Sequence, residues 1–253
     1  MQKMQINNLI AFIPARKNSK SIPNKNLKEL GGKPLISYSV ESALKCGLRT
    51  IVSTDDPEIA KIAKSYGVEV LERSSSLAKD DTSMFEVLRA EVPRIGADLV
   101  LLLQPTSPLR KTVHIKTAIN YFQENLENYD SLVSVEKVPE RFNPYAMILE
   151  TSIGKGMIFR KLLTWKEKIK SWWTGKKYEV VLSGVPISQR MTRRQDLPQC
   201  WLPTGEIYCF KASNLKEGSI YGKSTMLYQC EGSPNINSLE DFSECEKILC
   251  EKK

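Results

Sequence analysis

Histidine is nearly absent from this chain, which has one, His114, among 253 residues. The six cysteines, Cys46, Cys200, Cys209, Cys230, Cys245 and Cys250, form no C-x-x-C pair. A zinc site read from spacing therefore has poor ligands in the wrong places. The thiols read instead as small buried hydrophobes or as cysteines kept reduced in a cytosol. His114, at the start of a helical stretch, reads as a packing or capping residue. Long apolar runs are missing as well. The longest aliphatic stretch, Leu99-Val100-Leu101-Leu102-Leu103, is far too short to span a bilayer. The opening residues Met1 to Asn8 lack the apolar core and cleavage site of a secretory signal. A cytoplasmic location with no membrane partner is expected. There is no internal repeat, no low-complexity tract and no Gly-x-x-x-x-Gly-Lys-Ser/Thr loop.

What is present is an ordinary globular composition, 41% hydrophobic and 26% charged. It excludes wholesale disorder, collagen-like repeats and coiled coil. Lys and Arg number 37 against 29 Asp and Glu, a formal charge of +8 with His114 neutral. Much of the excess falls in residues 17–33 and 155–194, which points to local anion sites rather than a uniform basic coat. No recognisable nucleic-acid motif accompanies the charge, so nucleic acid is not an expected partner.

Leu9-Ile10-Ala11-Phe12-Ile13, closed by Pro14, reads as a strand buried on both faces. A helix over 34–45 follows the Gly31-Gly32 turn, and Thr50-Ile51-Val52-Ser53 is a second strand. Asp55-Asp56-Pro57 supplies an acidic cap and a first-turn proline for a helix running toward Tyr66. Further strands are expected over 68–71, 99–103 and 131–135, with helices over 83–91 and 113–124. Such alternation predicts βαβ units and an α/β, Rossmann-like, mostly parallel sheet flanked by helices. Strands over 206–210 and 226–228 and a helix over 239–249 close one domain spanning 1–253. Residues 140–190 interrupt it, with Trp165, Trp172 and Trp173 set among lysines, and read as a dimerisation or substrate arm. Ligands of such sheets bind beyond the carboxyl ends of the strands, which selects the loops at 15–26, 54–56 and 104–110.

The first loop, Pro14-Ala15-Arg16-Lys17-Asn18-Ser19-Lys20-Ser21-Ile22-Pro23-Asn24-Lys25-Asn26, carries four cations and several small polar residues directly after a buried strand. Backbone amides of such a loop can form an anion-binding concavity. Arg16 offers a forked contact to phosphate, and Lys20 and Lys25 act as point charges. A solvated basic loop is the plainer alternative, and placement at the end of the first strand favours phosphate.

Ala15-Arg16-x-x-Ser19-Lys20, Lys25-Asn26 and Gly31-Gly32-Lys33-Pro34-Leu35-Ile36 closely resemble the opening of the acylneuraminate cytidylyltransferases, the CMP-sialic acid synthetase family. The likeness continues at Val52-Ser53-Thr54-Asp55, Leu77-Ala78-Lys79-Asp80-Asp81-Thr82 and Leu103-Gln104-Pro105-Thr106-Ser107-Pro108-Leu109-Arg110. It resumes at Arg194-Gln195-Asp196-Leu197-Pro198 and Pro203-Thr204-Gly205-Glu206-Ile207-Tyr208, and covers nearly the whole chain apart from about 150–188. The resemblance implies transfer of CMP from CTP to the anomeric hydroxyl of a nonulosonic (sialic-type) 2-keto sugar acid, with Mg2+ or Mn2+ and release of pyrophosphate. It implies a homodimer whose arms reach the partner's sugar pocket. It implies that Arg16, Lys20 and Lys25 act on the triphosphate as the catalytic cations. Ala15, Ser19 and Asn26 would complete the nucleotide loop, and Arg73, Asp81, Thr82 and Ser83 would lie at the cytosine and ribose end. Gln104, Arg194, Gln195 and Tyr208 would meet the sugar acid.

Two departures stand out. The family usually carries an Asp-Ile-Asp that holds magnesium near its C-terminus, where this chain reads Asn235-Ile236-Asn237. An amide oxygen brings no charge to an ion that prefers anionic oxygens. The triphosphate then holds most of the ion with Asn235 and Asn237 as neutral ligands, or an acid such as Asp55, Glu240 or Asp241 steps in, or the protein is a catalytically impaired nucleotide-binding homologue. Turn and helix-cap chemistry is a simpler role for both asparagines. The stretch Glu140-Arg141-Phe142-Asn143-Pro144-Tyr145 has neither the histidine nor the lysine that many relatives place near the sugar, which leaves the sugar's identity open.

Overall fold

A computed structural model describes residues 8–139, 181–182, 185–186 and 199–251. The chain divides into two units, Met1–Glu136 with Pro203–Lys253, and Lys137–Leu202. The strands are β1 (Leu9–Pro14), β2 (Glu29–Leu30), β3 (Lys33–Pro34), β4 (Arg49–Thr54), β5 (Glu69–Glu72), β6 (Leu99–Leu102) and β7 (Ser131–Lys137), then β8 (Val181–Leu182), β9 (Val185–Pro186), β10 (Trp201–Lys211) and β11 (Thr225–Gln229). The helices are α1 (Leu35–Leu44), α2 (Pro57–Ser65), α3 (Met84–Ile95), α4 (Thr112–Glu124) and α5 (Leu239–Glu251).

Seven strands form one sheet in the order β11-β7-β10-β6-β1-β4-β5. β1 pairs in parallel with β4 on one side and β6 on the other, with Phe12 level with Ile51 and Leu102. The chain leaves β1 toward β4 and β5, then returns to β6 on β1's other edge, so the order reverses at β1. Ligands of open α/β sheets gather at such a reversal. The expected mostly parallel sheet is present, and β10, antiparallel to β6, departs from the parallel rule. β10 also runs through Pro203 and Gly205 and is longer than the expected 206–210.

β1 alternates its side chains between two buried clusters. Ala11 and Ile13 face α1, α2 and α4 through Ile36, Val40, Ile59, Ala63, Ile115 and Phe122. Phe12 faces α3 through Val87, Leu88 and Val92, together with Phe210 of β10. Both faces of the strand are covered, as its continuous apolar run predicts. Local signals start the helices where the sequence places them. The Asp56 carboxylate accepts from Glu58 N at 2.8 Å ahead of Pro57, and Ser83 and Glu86 close a reciprocal capping box on α3.

A third cluster fixes the first loop. Ile22, in the middle of the basic stretch, is buried with Leu30, Leu35, Ile236, Phe242 and Cys245. β2 and β3 are a small hairpin with Leu30 opposite Lys33. Gly31 and Gly32 turn it with φ of 57° and 91°, the left-handed pair that a tight two-residue turn requires. A Cβ on Gly31 would also stand 3.1 Å from the Tyr38 hydroxyl and 3.2 Å from Leu249 of α5. Most of the expected arm over 140–190 lies outside the described residues, as do Arg194 and Gln195. Among the described residues no helix is long and apolar enough to cross a membrane.

Candidate active site

A cavity of about 230 Å³ opens beyond the carboxyl ends of β1, β5 and β6. Arg16, Ser19, Lys25 and Asn26 of the first loop line it, facing Arg73 and Thr82, with Gln104 at the end of β6. Leu77, Met84 and Val87 add an apolar wall. A larger groove of about 550 Å³ runs along α2 and the β5 edge past Lys61 and Lys64; of the expected loops it takes only Thr54, Asp55 and Asp56, and none of the expected nucleotide or sugar residues lines it. The smaller cavity gathers the chemistry.

The loop is held by its own polar atoms as well as by Ile22. Asn26 donates from its amide to the Arg16 carbonyl at 3.0 Å. Lys25 Nζ donates to the Ile236 carbonyl at 3.0 Å, and Lys17 N donates to Asp55 Oδ1 at 2.8 Å. Asn24, at φ 50°, makes the left-handed turn that asparagine tolerates better than most residues. The Arg16 guanidinium pairs with Asp80, which is half exposed. Burial, and then the charge of Arg16, hold the Lys25 ammonium below the usual lysine value, while Asp241 acts the other way.

Arg73 is anchored from below. Its Nε donates to Ser53 Oγ at 2.9 Å and its terminal nitrogen to the Ser53 carbonyl at 3.2 Å. Glu91 of α3, fully buried, faces it at 4.0 Å. Burial lowers the Arg73 guanidinium below its ordinary value, offset in part by Glu91 and Asp55. Burial pushes the Glu91 carboxyl up. Arg73 lines the floor of the cavity, held to β4 through Ser53 and facing Glu91 of α3 behind it.

Several expected residues stand elsewhere. Ala15 is buried at the foot of the loop, its amide donating to the Ser53 carbonyl at 2.9 Å. Lys20 and Asp81 are exposed outside the cavity lining. Ser83 serves as the cap of α3. Tyr208 on β10, level with Leu102, packs its ring against the Phe12 cluster and does not line the cavity.

Arg110 is the residue that spacing alone does not reveal. It is 5% exposed, and it donates to the Glu206 carbonyl at 2.5 Å, to Ser39 Oγ at 3.3 Å and to the Gln104 carbonyl at 2.9 Å. Burial brings its guanidinium down to about 10. It ties the loop after β6 to β10 and α1, so it positions Gln104. Its signal was the last residue of the Gln104–Arg110 motif.

The turn at 235–237 does not fit a magnesium pair. The Asn235 amide nitrogen donates to the Thr204 carbonyl at 2.5 Å, and its oxygen accepts from the Ser107 hydroxyl. Both ends of that side chain are spent joining β10, the loop after β6 and the approach to α5. Gly205 permits the close approach: it sits at φ +76°, and a Cβ there would stand 3.0 Å from Asn235 Nδ2. Asn237 is exposed and brings no charge. The Asp241 carboxylate caps α5 by accepting from Asn237 N and Ser238 N, each at 2.8 Å, and these bonds lower it below the usual carboxylate range. The cation seated at this turn is the Lys25 ammonium.

Residues 10–212 match the family model described as cytidylyltransferase, and the chain belongs to that family. It is 31% identical over 256 residues to the post-translational flagellin modification protein B of Campylobacter coli, covering 96% of each chain. It is 30% identical to an N-acylneuraminate cytidylyltransferase of Streptococcus agalactiae over 92% of this chain, and spans 51% of that relative's length. A CMP:2-keto-3-deoxy-manno-octonic acid synthetase structure complexed with CTP shares the fold, with a TM-score of 0.68 and 16% identity over 98% of this chain and 100% of the other.

Restoring the family's first aspartate should damage the fold rather than repair a metal site. Asn235→Asp replaces a donor facing the Thr204 carbonyl with an acceptor, and should cost about 1–3 kcal/mol. The exposed change Asn237→Asp should stay within about 0.5 kcal/mol. Urea denaturation midpoints decide, and equal stability of Asn235→Asp and the native protein would contradict the strut.

Proposed function

We propose that the protein transfers CMP from CTP to the anomeric hydroxyl of a nonulosonic, sialic-type acid and releases pyrophosphate. The observation that carries this reading is the convergence of Arg16, Lys25 and Arg73 on one cavity with Ser19, Asn26, Thr82 and Gln104. The name of the streptococcal relative supports the sugar class.

In this reading the hydroxyl oxygen attacks the α-phosphorus, and the bond from that phosphorus to the oxygen bridging the β-phosphate breaks. Negative charge moves onto the departing pyrophosphate, where positioned cations lower the barrier. Arg16 and Lys25 stand at the loop that would meet the phosphates, with Lys20 at its exposed rim. Leu77, Met84 and Val87 offer the base an apolar face, and Arg73 and Thr82 its polar contacts. The sugar acid is itself an anion, so the basic site reduces the repulsion between the two substrates. Gln104, which lines the cavity, would meet it, with Arg194 and Gln195 assigned to the same pocket by family likeness. The reaction's divalent ion is Mg2+ or Mn2+, and the turn at 235–237 supplies no carboxylate pair for it. A cytoplasmic homodimer, its 140–190 arms meeting the partner's sugar pocket, completes the proposal.

Neutralising Arg16, Lys20 and Lys25 together to alanine should weaken CTP binding roughly 100-fold, at about 1 kcal/mol for each exposed charge pair removed. Calorimetric titration with CTP reads this directly. Unchanged affinity would remove the triphosphate from this loop. Absence of pyrophosphate release by the native protein with every member of a nonulosonic acid panel would overturn the transfer itself.

Lys25 also predicts a pH dependence. Its folded value lies below the usual 10.5, so as pH rises the ammonium is lost earlier than on a free lysine, and CTP affinity falls with it. Lys25→Arg keeps the charge across that range and should flatten the decline. Parallel alkaline profiles for the two proteins would exclude Lys25 from the phosphate contact.

A further inference from the structure

Away from the cavity, the only histidine meets a buried acid and a buried thiol. His114 in the first turn of α4, Glu206 of β10 and Cys230 just after β11 place a ring nitrogen, a carboxylate oxygen and the sulfur within 4.8 Å of one another. We propose that His114, Glu206 and Cys230 form a binding site for a thiophilic divalent cation of the zinc type. The spacing of these residues in the sequence hides the site, because 92 positions separate His114 from Glu206 and 24 more separate Glu206 from Cys230, and the fold alone brings them together.

The argument rests on side chains with coordination capacity left over. Glu206 is 1% exposed, and its Oε2 has no hydrogen-bond partner. Its other oxygen is satisfied by Ser233, from the backbone N at 2.7 Å and from Oγ at 2.5 Å. His114 Nδ1 is likewise buried without a hydrogen-bond partner, although the residue as a whole is half-buried and gives an ion a way in. Buried polar atoms left this way are costly unless something binds them. Cys230 is 8% exposed and hydrogen-bonded to Thr204, whose hydroxyl also bonds Ser134 Oγ at 2.7 Å. An outer-shell hydrogen bond of that kind orients a ligand.

The donor set selects the ion. Thiolate, imidazole and carboxylate together suit Zn2+ better than Mg2+ or Ca2+, which take oxygen ligands. Thiolate and carboxylate match the two charges of the ion, and the thiol proton leaves to solvent as the metal–sulfur bond forms. Other charges face the site: Glu136 and Lys111 act on Cys230, and buried Arg110 faces Glu206. Three protein ligands leave one tetrahedral position for water or for the Glu136 carboxylate. The ion's role is to fasten α4, β10 and the chain after β11, the same strand from which Glu206 holds Arg110 and Ser233. It is independent of the nucleotide reading.

Cobalt reports the site without reference to activity. The full chain, stripped by chelator and titrated with Co2+, should develop a thiolate-to-cobalt charge-transfer band and tetrahedral d–d bands that saturate at equimolar metal, and Zn2+ should displace both. Cys230→Ser should abolish the charge-transfer band, while Cys250→Ser, at an exposed position, leaves it. His114→Gln, at the half-buried ligand, should weaken Zn2+ by more than the about 100-fold that loss of an outer-shell partner costs, and gives a second reading if Cys230→Ser fails to fold. No thiolate band in the native protein, a band that survives Cys230→Ser, or unchanged Zn2+ affinity in His114→Gln would each overturn the site.

Discussion

Like charges do not gather unless something holds them, and this chain holds four guanidinium and ammonium groups, Arg16, Lys25, Arg73 and Lys79, around one small cavity. Arg16 disfavours the charge on both Lys25 and Arg73. The fold resists that repulsion in two ways. It pins the loop mechanically, through Ile22 in the α5 cluster, the Asn26 bond to the Arg16 carbonyl and the Lys25 bond to the Ile236 carbonyl. It also supplies partial counter-charge from Asp80, Glu91 and Asp241. A polyanion that replaced the half-exposed Asp80 at Arg16 would relieve the repulsion further, and this is how the proposed triphosphate would fit the site.

The rest of the architecture serves that preparation. β1 is buried on both faces, so the start of the loop cannot drift. Arg73 is fixed by Ser53 at the end of β4, the strand next to β1. Arg110 performs the same service on the other side of β1, linking Gln104 to β10. Asn235 extends the network to the approach of α5. The position where the resemblance implies a metal ligand is here a neutral strut with both of its polar ends engaged.

The sheet and its helices were legible because their signals are local: the apolar run of Leu9–Ile13, the Asp56-Pro57 cap, the Ser83 and Glu86 box. The long antiparallel β10 was only partly visible, since Pro203 and Gly205 read as breakers. In the fold, Gly205 instead leaves room for Asn235, a contact between residues thirty positions apart. Candidate site residues emerged where motif and loop position agreed, as for Arg16, Lys25, Asn26 and Gln104. They separated where a motif residue serves the fold, as Ser83 does in capping α3 and Tyr208 in packing against Phe12. The meeting of His114, Glu206 and Cys230 was invisible for a simpler reason. Tertiary folding, not sequence spacing, sets those distances, and spacing argued against any such cluster.

The most direct test of the charge-gathering account is a structure of the protein with CTP bound. The account predicts the triphosphate against Arg16 and Lys25, with Arg16 released from Asp80 and the base against Leu77, Met84 and Val87. A triphosphate seated in the groove beside Lys61 and Lys64, with the Arg16–Asp80 pair intact, would contradict it.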